Sequence, residues 1–196
     1  MLESMKPLLL AITEIGDTAV MTALAAIIAL YLFWAGSRKS AGLLVLSLLA
    51  AAGAIFILKI AFLGCWVKVP FFDLRSPSGH AALSAAVLGT FASIMATQLG
   101  GTDRWIPYLV VGPLIVLIAA SRTLLGMHTP EEALVGLFVG FCVAVAAYVI
   151  LDHSNVPKLD LRLIAILGIV VIVIFHGTWP SFEPYVKRIA AWLSGC

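Results

Sequence analysis

The chain has 196 residues, of which 62% are hydrophobic and 11% are charged. Soluble domains carry roughly 25% charged residues, so this composition excludes an ordinary soluble domain and indicates an integral membrane protein. The 12 Lys and Arg residues, against 10 Asp and Glu, are scattered through loops and helix ends, which argues against a nucleic-acid partner. The three cysteines form no paired C-x-x-C pattern and no disulfide framework.

Apolar runs of helix length follow one another along the chain, separated by short polar or turn segments. A membrane helix needs about 20 predominantly apolar residues. The runs therefore predict an all-α, polytopic membrane helix bundle with about six transmembrane helices, in a single domain over residues 1–196. The predicted helices lie near residues 18–36, 41–63, 79–99, 106–125, 131–151 and 161–178.

Two further segments, residues 5–15 and 185–193, mix polar with apolar positions and are too short to span. Both are typical of interfacial helices that lie on a bilayer. Between the first of them and the first predicted span, Gly16 and Asp17 are predicted to form a cap or turn.

Six crossings would place both termini on one side of the membrane, together with segments 64–78 and 126–130, and we call this side face A. The other three connections form face B. An excess of Lys and Arg marks cytoplasmic loops, which indicates that face B is cytoplasmic and face A is exterior, as on the periplasmic side of a bacterial inner membrane. The basic residues of face B are Arg38, Lys39, Arg104, Lys158 and Arg162.

The first motif is the stretch Ser76-Pro77-Ser78-Gly79-His80, directly before an apolar run. Ser76 is a predicted N-cap and Pro77 suits the first helical position, which puts the last three residues in the first turn of a helix. Such a turn exposes backbone N–H groups and a partial positive charge, so it can hold a phosphate. The plainer interpretation is an ordinary helix start, but His80 adds a titratable imidazole beside the turn that could hold a phosphate.

The second motif runs from Ser121 to Glu132 and places ionisable residues in an otherwise apolar region. Such groups at membrane depth are costly and usually functional. Arg122 offers a planar, permanently charged fork that fits a phosphate. A neutral His128 can attack phosphorus if a carboxylate holds its other ring nitrogen, and Glu132 is the candidate. Glu132 also fits the alternative of a capping box that begins with Thr129.

Both motifs are predicted to lie on face A, so His80, Arg122 and His128 can converge around one anion. Unrelated core histidines or helix caps would have no reason to do so. This predicted convergence is the main structural hypothesis that the sequence offers.

The two motifs resemble the signatures of the type 2 phosphatidic acid phosphatase family, P-S-G-H at residues 77–80 and S-R-x5-H-x3-D at residues 121–132, where Glu132 replaces the aspartate. The family's first signature, K-x6-R-P, is matched in spacing by Lys68 and Arg75, while Ser76 replaces the proline. Lys59, near the end of the second predicted span, is a rival for the lysine role, and the sequence leaves that choice open.

The resemblance implies an all-helical core that needs no metal or other cofactor, and the membrane-embedded site suggests a substrate with an apolar tail: phosphatidate, phosphatidylglycerophosphate, a polyprenyl diphosphate or a phosphorylated lipid A. The family's mechanism is what the resemblance adds to these expectations. This mechanism implies that His128 attacks phosphorus, that His80 protonates the departing oxygen and that water then hydrolyses the phosphohistidine. The residues it implies for phosphate binding are Arg122, Arg75, Lys68 or Lys59, Ser78, Gly79 and Ser121.

Three alternatives to a lipid phosphatase remain at this point. A phosphotransferase would use the same site but pass the phosphoryl group to a second lipid. A transporter or channel would bind an anion at its intramembrane basic residues without chemistry. A structural protein would keep the signatures without using them.

Overall fold

The computed structural model describes residues 2–63, 74, 76–151, 158–175 and 183–194. This part of the chain is helical, with no strand, so the predicted all-α class is confirmed. A 3-10 segment, Gly101–Trp105, precedes α5. The α-helices of the described part are α1 Leu2–Ile15, α2 Thr18–Trp34, α3 Arg38–Leu63, α4 Gly79–Ala96, α5 Ile106–Leu124, α6 Pro130–Ile150, α7 Leu161–Phe175 and α8 Glu183–Ser194.

Each of the six predicted spans has a helical counterpart, α2 to α7. Four of them, α3, α4, α5 with its 3-10 segment, and α6, are long and apolar enough to cross a membrane. The pair α1 and α2, bent by 43° at a short break, would make a fifth crossing. Helix α7 contributes 15 described residues, and the predicted end of this span, at residue 178, lies outside the described residues.

Helix α4 is the centre of the bundle and packs against α2, α3, α5 and α6. Of the 18 residues of α4, 72% are buried. In apolar stretches of the same length in α3, α5 with its 3-10 segment, and α6, the buried share is 17–33%. Its sequence is rich in Ala, Ser and Gly. Small side chains let helix backbones approach closely, which is how helices associate where there is no water to drive burial.

The closest approach in the bundle is between α4 and α6. A Cβ added at Gly136 would lie 3.2 Å from the Cβ of Ala81, and one at Gly140 would lie 2.6 Å from the Cβ of Ala85. The residue numbers of these contact pairs increase along both helices, from Ala81 with Gly136 to Ala85 with Gly140, so α4 and α6 run parallel. Both helices therefore begin at the same end of the bundle, with the first motif before α4 and the second before α6.

At the other end of the bundle, two hydrogen bonds join the segment before α7 to α2 and to the residues after α4. The backbone N–H of Asp160 donates to the hydroxyl of Tyr31 at 2.9 Å, and that of Leu159 donates to the side-chain oxygen of Gln98 at 3.1 Å. Tyr31 lies near the end of α2 and Gln98 just after α4. This end corresponds to the predicted face B, and the motif end to face A.

Large apolar side chains cover the outside of the bundle. Leu109, Phe138, Val149 and Val173 are each more than 60% exposed. Soluble monomers rarely expose contiguous apolar surface on this scale. The outer surface is therefore compatible with insertion into a membrane.

Candidate active site

His128 and Glu132 form a largely buried polar contact at the motif end of the bundle. The Nδ1 atom of His128 lies 2.8 Å from Oε2 of Glu132, and each side chain is 8% exposed. His128 lies in the short turn before α6, and Glu132 lies in the first turn of that helix. A carboxylate at one ring nitrogen fixes the orientation of the imidazole and favours the tautomer with its proton on Nδ1.

Glu132 also caps α6. Its backbone N–H donates to the Thr129 hydroxyl at 3.3 Å, and Oε2 accepts the backbone N–H of Thr129 at 3.3 Å. The predicted capping box is therefore present. The two interpretations that the sequence left open for Glu132 coexist, because one carboxylate oxygen serves both the cap and the imidazole.

The second oxygen of Glu132 reaches across to the first motif. Oε1 accepts the backbone N–H of Ser76 at 2.6 Å, and the Ser76 hydroxyl accepts a hydrogen bond from the Lys59 ammonium at 2.9 Å. Lys59 is 7% exposed, near the end of α3. A chain of hydrogen bonds thus runs from Lys59 through Ser76 and Glu132 to His128, and it joins three helix ends.

The start of α4 differs from the prediction by two residues. Ser78, and not Ser76, is the N-cap, and its side chain accepts the Ala81 N–H. The predicted cap at Ser76 was wrong because Ser76 is held by Glu132 and Lys59, which belong to other helices. The N–H of Ser78 donates to the backbone carbonyl of Glu132 at 3.0 Å. The Ser78 N–H is therefore engaged in a contact between helices, and its role in phosphate binding stays a prediction, as does that of Gly79 in the first turn of α4.

His80, in the first turn of α4, faces the start of α2. Its Nε2 atom lies 3.5 Å from Oδ2 of Asp17, and the two side chains are 20% and 30% exposed. The other carboxylate oxygen of Asp17 accepts the Ala19 N–H at 2.8 Å and so caps α2. The predicted cap at Asp17 is confirmed, and the contact with His80 is an addition that the sequence did not reveal.

Arg122 and His128 are brought together by the turn that ends α5. The N–H groups of Met127 and His128 both donate to the Arg122 carbonyl, at 3.0 and 3.3 Å. This return of the chain requires Gly126 at φ 67°, a left-handed conformation that glycine adopts at helix C-termini without steric cost. The Arg122 guanidinium also lies 3.5 Å from the Thr13 hydroxyl on α1.

These surroundings keep His128 neutral. Burial lowers the pKa of His128 from its ordinary value of 6.5, and the positive charges of Arg122 and Lys59 lower it further. The hydrogen bond to Glu132 and the charge of that carboxylate act in the opposite direction but do not reverse the shift. A neutral imidazole keeps a lone pair on its second nitrogen, which a nucleophile requires.

Three further residues predicted to bind phosphate are Ser121, Lys68 and Arg75. The Ser121 hydroxyl is fully buried and donates to the Ile118 carbonyl of its own helix at 2.7 Å, so its role in phosphate binding stays a prediction. Lys68 and Arg75 lie outside the described residues. The lysine at the described site is Lys59.

The chain also matches a known protein family. Residues 60–155 match the family model of the PAP2 superfamily. Over this segment the chain is similar to the PAP2 superfamily. No curated protein and no solved structure gave a significant match.

The PAP2 segment contains both motifs and begins one residue after Lys59. Two contacts of the site lie further outside it, at Thr13 and Asp17. Sequence reasoning missed both as site residues. The only sequence signal was an acidic residue before the first predicted span, on the same face as the motifs.

The candidate site is not a cluster of metal ligands in its described part. Within the ranges given above, no three His, Cys, Asp or Glu side chains lie together in a way that could hold a metal ion. The described donors are instead arranged as two separate imidazole–carboxylate pairs, His128 with Glu132 and His80 with Asp17.

A groove of about 900 Å³ lies along the outer side of α4, α5 and α6. It is lined mainly by apolar residues, including Ala85, Gly112, Phe138 and Trp105. Ala85 is five positions after His80, about 7.5 Å along a helix that rises 1.5 Å per residue. The groove therefore begins close to the motif end of the bundle and extends toward face B.

Proposed function

We propose that the protein is an integral membrane phosphatase that hydrolyses the phosphomonoester or diphosphate of a lipid through a phosphohistidine on His128. The observation that carries this proposal is the 2.8 Å contact between Nδ1 of His128 and Oε2 of Glu132. Because the carboxylate is at Nδ1, the other ring nitrogen, Nε2, keeps its lone pair and is the proposed nucleophile. Similarity to the PAP2 superfamily over residues 60–155 supports a phosphatase reaction.

In the first step, the Nε2 lone pair of His128 forms a bond to phosphorus while the bond from phosphorus to the leaving oxygen breaks. The electron pair of that bond goes to the leaving oxygen, which takes a proton from the imidazolium of His80. The products are a lipid alcohol, or a lipid monophosphate when the substrate is a diphosphate, and a phosphorylated His128. Glu132 stabilises the positive charge that develops on the His128 ring.

In the second step, water attacks the phosphohistidine. Neutral His80 accepts a proton from this water as its oxygen bonds to phosphorus. The P–N bond breaks, its electron pair returns to Nε2 of His128, and inorganic phosphate leaves. Both histidines then have their starting protonation states.

Fixed positive groups would stabilise the phosphoryl oxygens during both steps. Arg122 and Lys59 act on His128 electrostatically in the described structure. The first turn of α4, from Gly79, adds helix N–H groups and a partial positive charge. Charges that are already aimed at the reacting group need no rearrangement, and one such donor is typically worth about 3 to 4 kcal/mol of barrier. Arg75 and Lys68 are the further candidates from the family resemblance.

The groove supports a substrate with an apolar tail. It begins near His80 and is lined mainly by apolar side chains. A phosphate held at the motif end would leave a lipid chain close to this groove. We therefore favour lipid phosphates over water-soluble phosphate esters as substrates.

The charge distribution supports an exterior site. Arg38 and Lys39 begin α3, Arg104 lies in the 3-10 segment and Lys158 precedes α7, all at the end opposite the motifs. Lys and Arg are enriched in cytoplasmic loops. We therefore place the site on the exterior face, which is the periplasmic face if the membrane is a bacterial inner membrane.

The test of this function is phosphate release by the purified protein in detergent, over a panel that includes phosphatidate, a polyprenyl diphosphate and an aryl phosphate. We expect release from lipid substrates by the wild type and none by His128→Asn. His153→Asn, which changes a histidine outside both motifs, is the matched control and should keep full activity. An inactive wild type across the panel would contradict the proposal, and transfer of phosphate to an added acceptor lipid in preference to water would assign a phosphotransferase.

A further inference from the structure

Asp17 divides its carboxylate between a helix end and a histidine. Oδ1 accepts the Ala19 N–H at 2.8 Å, and Oδ2 lies 3.5 Å from Nε2 of His80. A helix cap needs one acceptor oxygen. The second oxygen is directed at an imidazole that comes from the start of a different helix, 63 positions later in the chain.

The segment Thr13–Asp17, where α1 turns into α2, contacts the site at a second point. The Thr13 hydroxyl lies 3.5 Å from the Arg122 guanidinium. Thr13 is only 3% exposed, and α1 packs along α5. The turn therefore touches one residue from each motif, although it lies outside the PAP2 segment.

We propose that Asp17 is a positioning residue for His80. Its carboxylate holds Nε2, fixes the plane of the ring and compensates the positive charge of the imidazolium. The other nitrogen, Nδ1, then delivers the proton to the leaving oxygen. This inference rests on the proposed function, in which His80 protonates the leaving group as the P–O bond breaks.

If Asp17 positions His80, the effect of losing its charge depends on the leaving group of the substrate. If Asp17 is only a helix cap, the effect does not. An alkoxide leaving from a lipid is strongly basic and needs a proton, whereas an aryl oxide leaves readily without one. Loss of the charge on Asp17 should therefore slow cleavage of an alkyl phosphate much more than cleavage of an aryl phosphate. A cap that only supports the fold would affect both substrates equally.

Asp17→Asn separates the two roles, because asparagine is as good an N-cap as aspartate but carries no charge. We expect the rate of alcohol release from phosphatidate within the first turnover, before hydrolysis of the phosphohistidine, to fall roughly 10- to 100-fold, while the rate of p-nitrophenol release from p-nitrophenyl phosphate within the first turnover stays within about threefold of the wild type. The thermal unfolding midpoint should be retained. Asp160→Asn is the matched control, since Asp160 accepts the Leu163 N–H at 3.2 Å at the start of α7 and is exposed at the other end of the bundle.

A double-mutant cycle completes the test. In a His80→Asn background, Asp17→Asn should have no further effect on the first-turnover rate of alcohol release, because its effect passes through His80. An equal loss for both substrates, an unchanged rate of alcohol release from phosphatidate, or a full additional loss in the His80→Asn background would each overturn the role of Asp17. Failure of the wild type to release phosphate from either substrate would instead contradict the proposed function itself.

Discussion

Nδ1 of His128 lies 2.8 Å from Oε2 of Glu132, and the other oxygen of the same carboxylate accepts the Ser76 N–H at 2.6 Å. One buried side chain therefore sets the position of the proposed nucleophile and holds the first motif against the second. In PAP2 signatures this position is an aspartate, and the longer glutamate reaches both partners here. Glu132 therefore serves both the proposed chemistry and the packing of α4 on α6.

Glu132→Gln tests the contribution of the carboxylate charge. Glutamine keeps a side-chain acceptor for the cap of α6 but carries no charge to stabilise the His128 imidazolium. We expect turnover to fall roughly 10³-fold, within the usual range for loss of a group that acts on a catalytic proton, with the protein still folded in detergent. Phosphate release and thermal unfolding measure the two properties. Glu131→Gln, the adjacent carboxylate in the same first turn, should keep near wild-type turnover, and an equal loss in both variants would contradict the role of Glu132.

The pH dependence of kcat/KM should report the neutral state of His128. Protonation removes the lone pair that attacks phosphorus, so activity is lost as the pH falls through the pKa of His128. Because burial lowers this pKa from 6.5, the acidic limb should have its midpoint below that value. The Glu132 carboxylate raises the pKa, so Glu132→Gln should move the limb to still lower pH. A limb above 6.5, or a shift in the other direction, would count against His128 as the nucleophile.

Lys59→Met tests whether the buried lysine supplies charge to the site. Methionine has a similar length and no charge, so the variant should insert and fold while losing the ammonium that bonds to Ser76. We expect turnover to fall about 10²-fold or more, as for other fixed groups that stabilise transition-state charge. Lys39→Met, an exposed position at the opposite end of α3, is the matched control. Normal turnover of Lys59→Met would return the lysine role to Lys68.

Gly112→Phe tests the groove as the site of the lipid tail. Gly112 lines the groove, and a Cβ there would meet nothing within 4 Å, so the phenyl ring should fill the groove without distorting the helix. We expect kcat/KM for a long-chain lipid phosphate to fall about 10-fold, equivalent to roughly 1.4 kcal/mol, with little change for an aryl phosphate. Gly53→Phe, an equally open position on α3 outside the groove, should affect neither substrate. Equal losses for both substrates in Gly112→Phe would argue against tail binding there.

Much of the fold could be predicted from the chain because apolar runs and turn residues fix where membrane helices begin and end. The run predicted at 106–125 is α5, Ile106–Leu124, and the run at 131–151 is α6, Pro130–Ile150. The start of α4 was misplaced by two residues, because the Ser76 N–H is taken by a carboxylate 56 positions away. Local capping preferences carry no information about such a partner.

The candidate site was predictable to the extent that its residues lie in contiguous motifs. The pairing of Glu132 with His128 follows from a spacing of four residues at a helix start. The contact of Asp17 with His80 depends on how α1 and α2 fold back onto α4 and α5, and no local pattern near Asp17 indicates an imidazole. Lys59 was recognised only as a candidate, since its hydrogen bond to Ser76 is set by the packing of α3 against α4.

The most direct test of the central claim is to trap the intermediate. Wild-type protein is mixed with a lipid phosphate that carries a radiolabelled phosphoryl group, quenched in alkali within the first turnover and digested. We expect an acid-labile, base-stable label on the peptide that contains His128, absent in His128→Asn and retained in His80→Asn when an aryl phosphate replaces the lipid. Label on any other residue, or wild-type turnover by His128→Asn, would contradict the account.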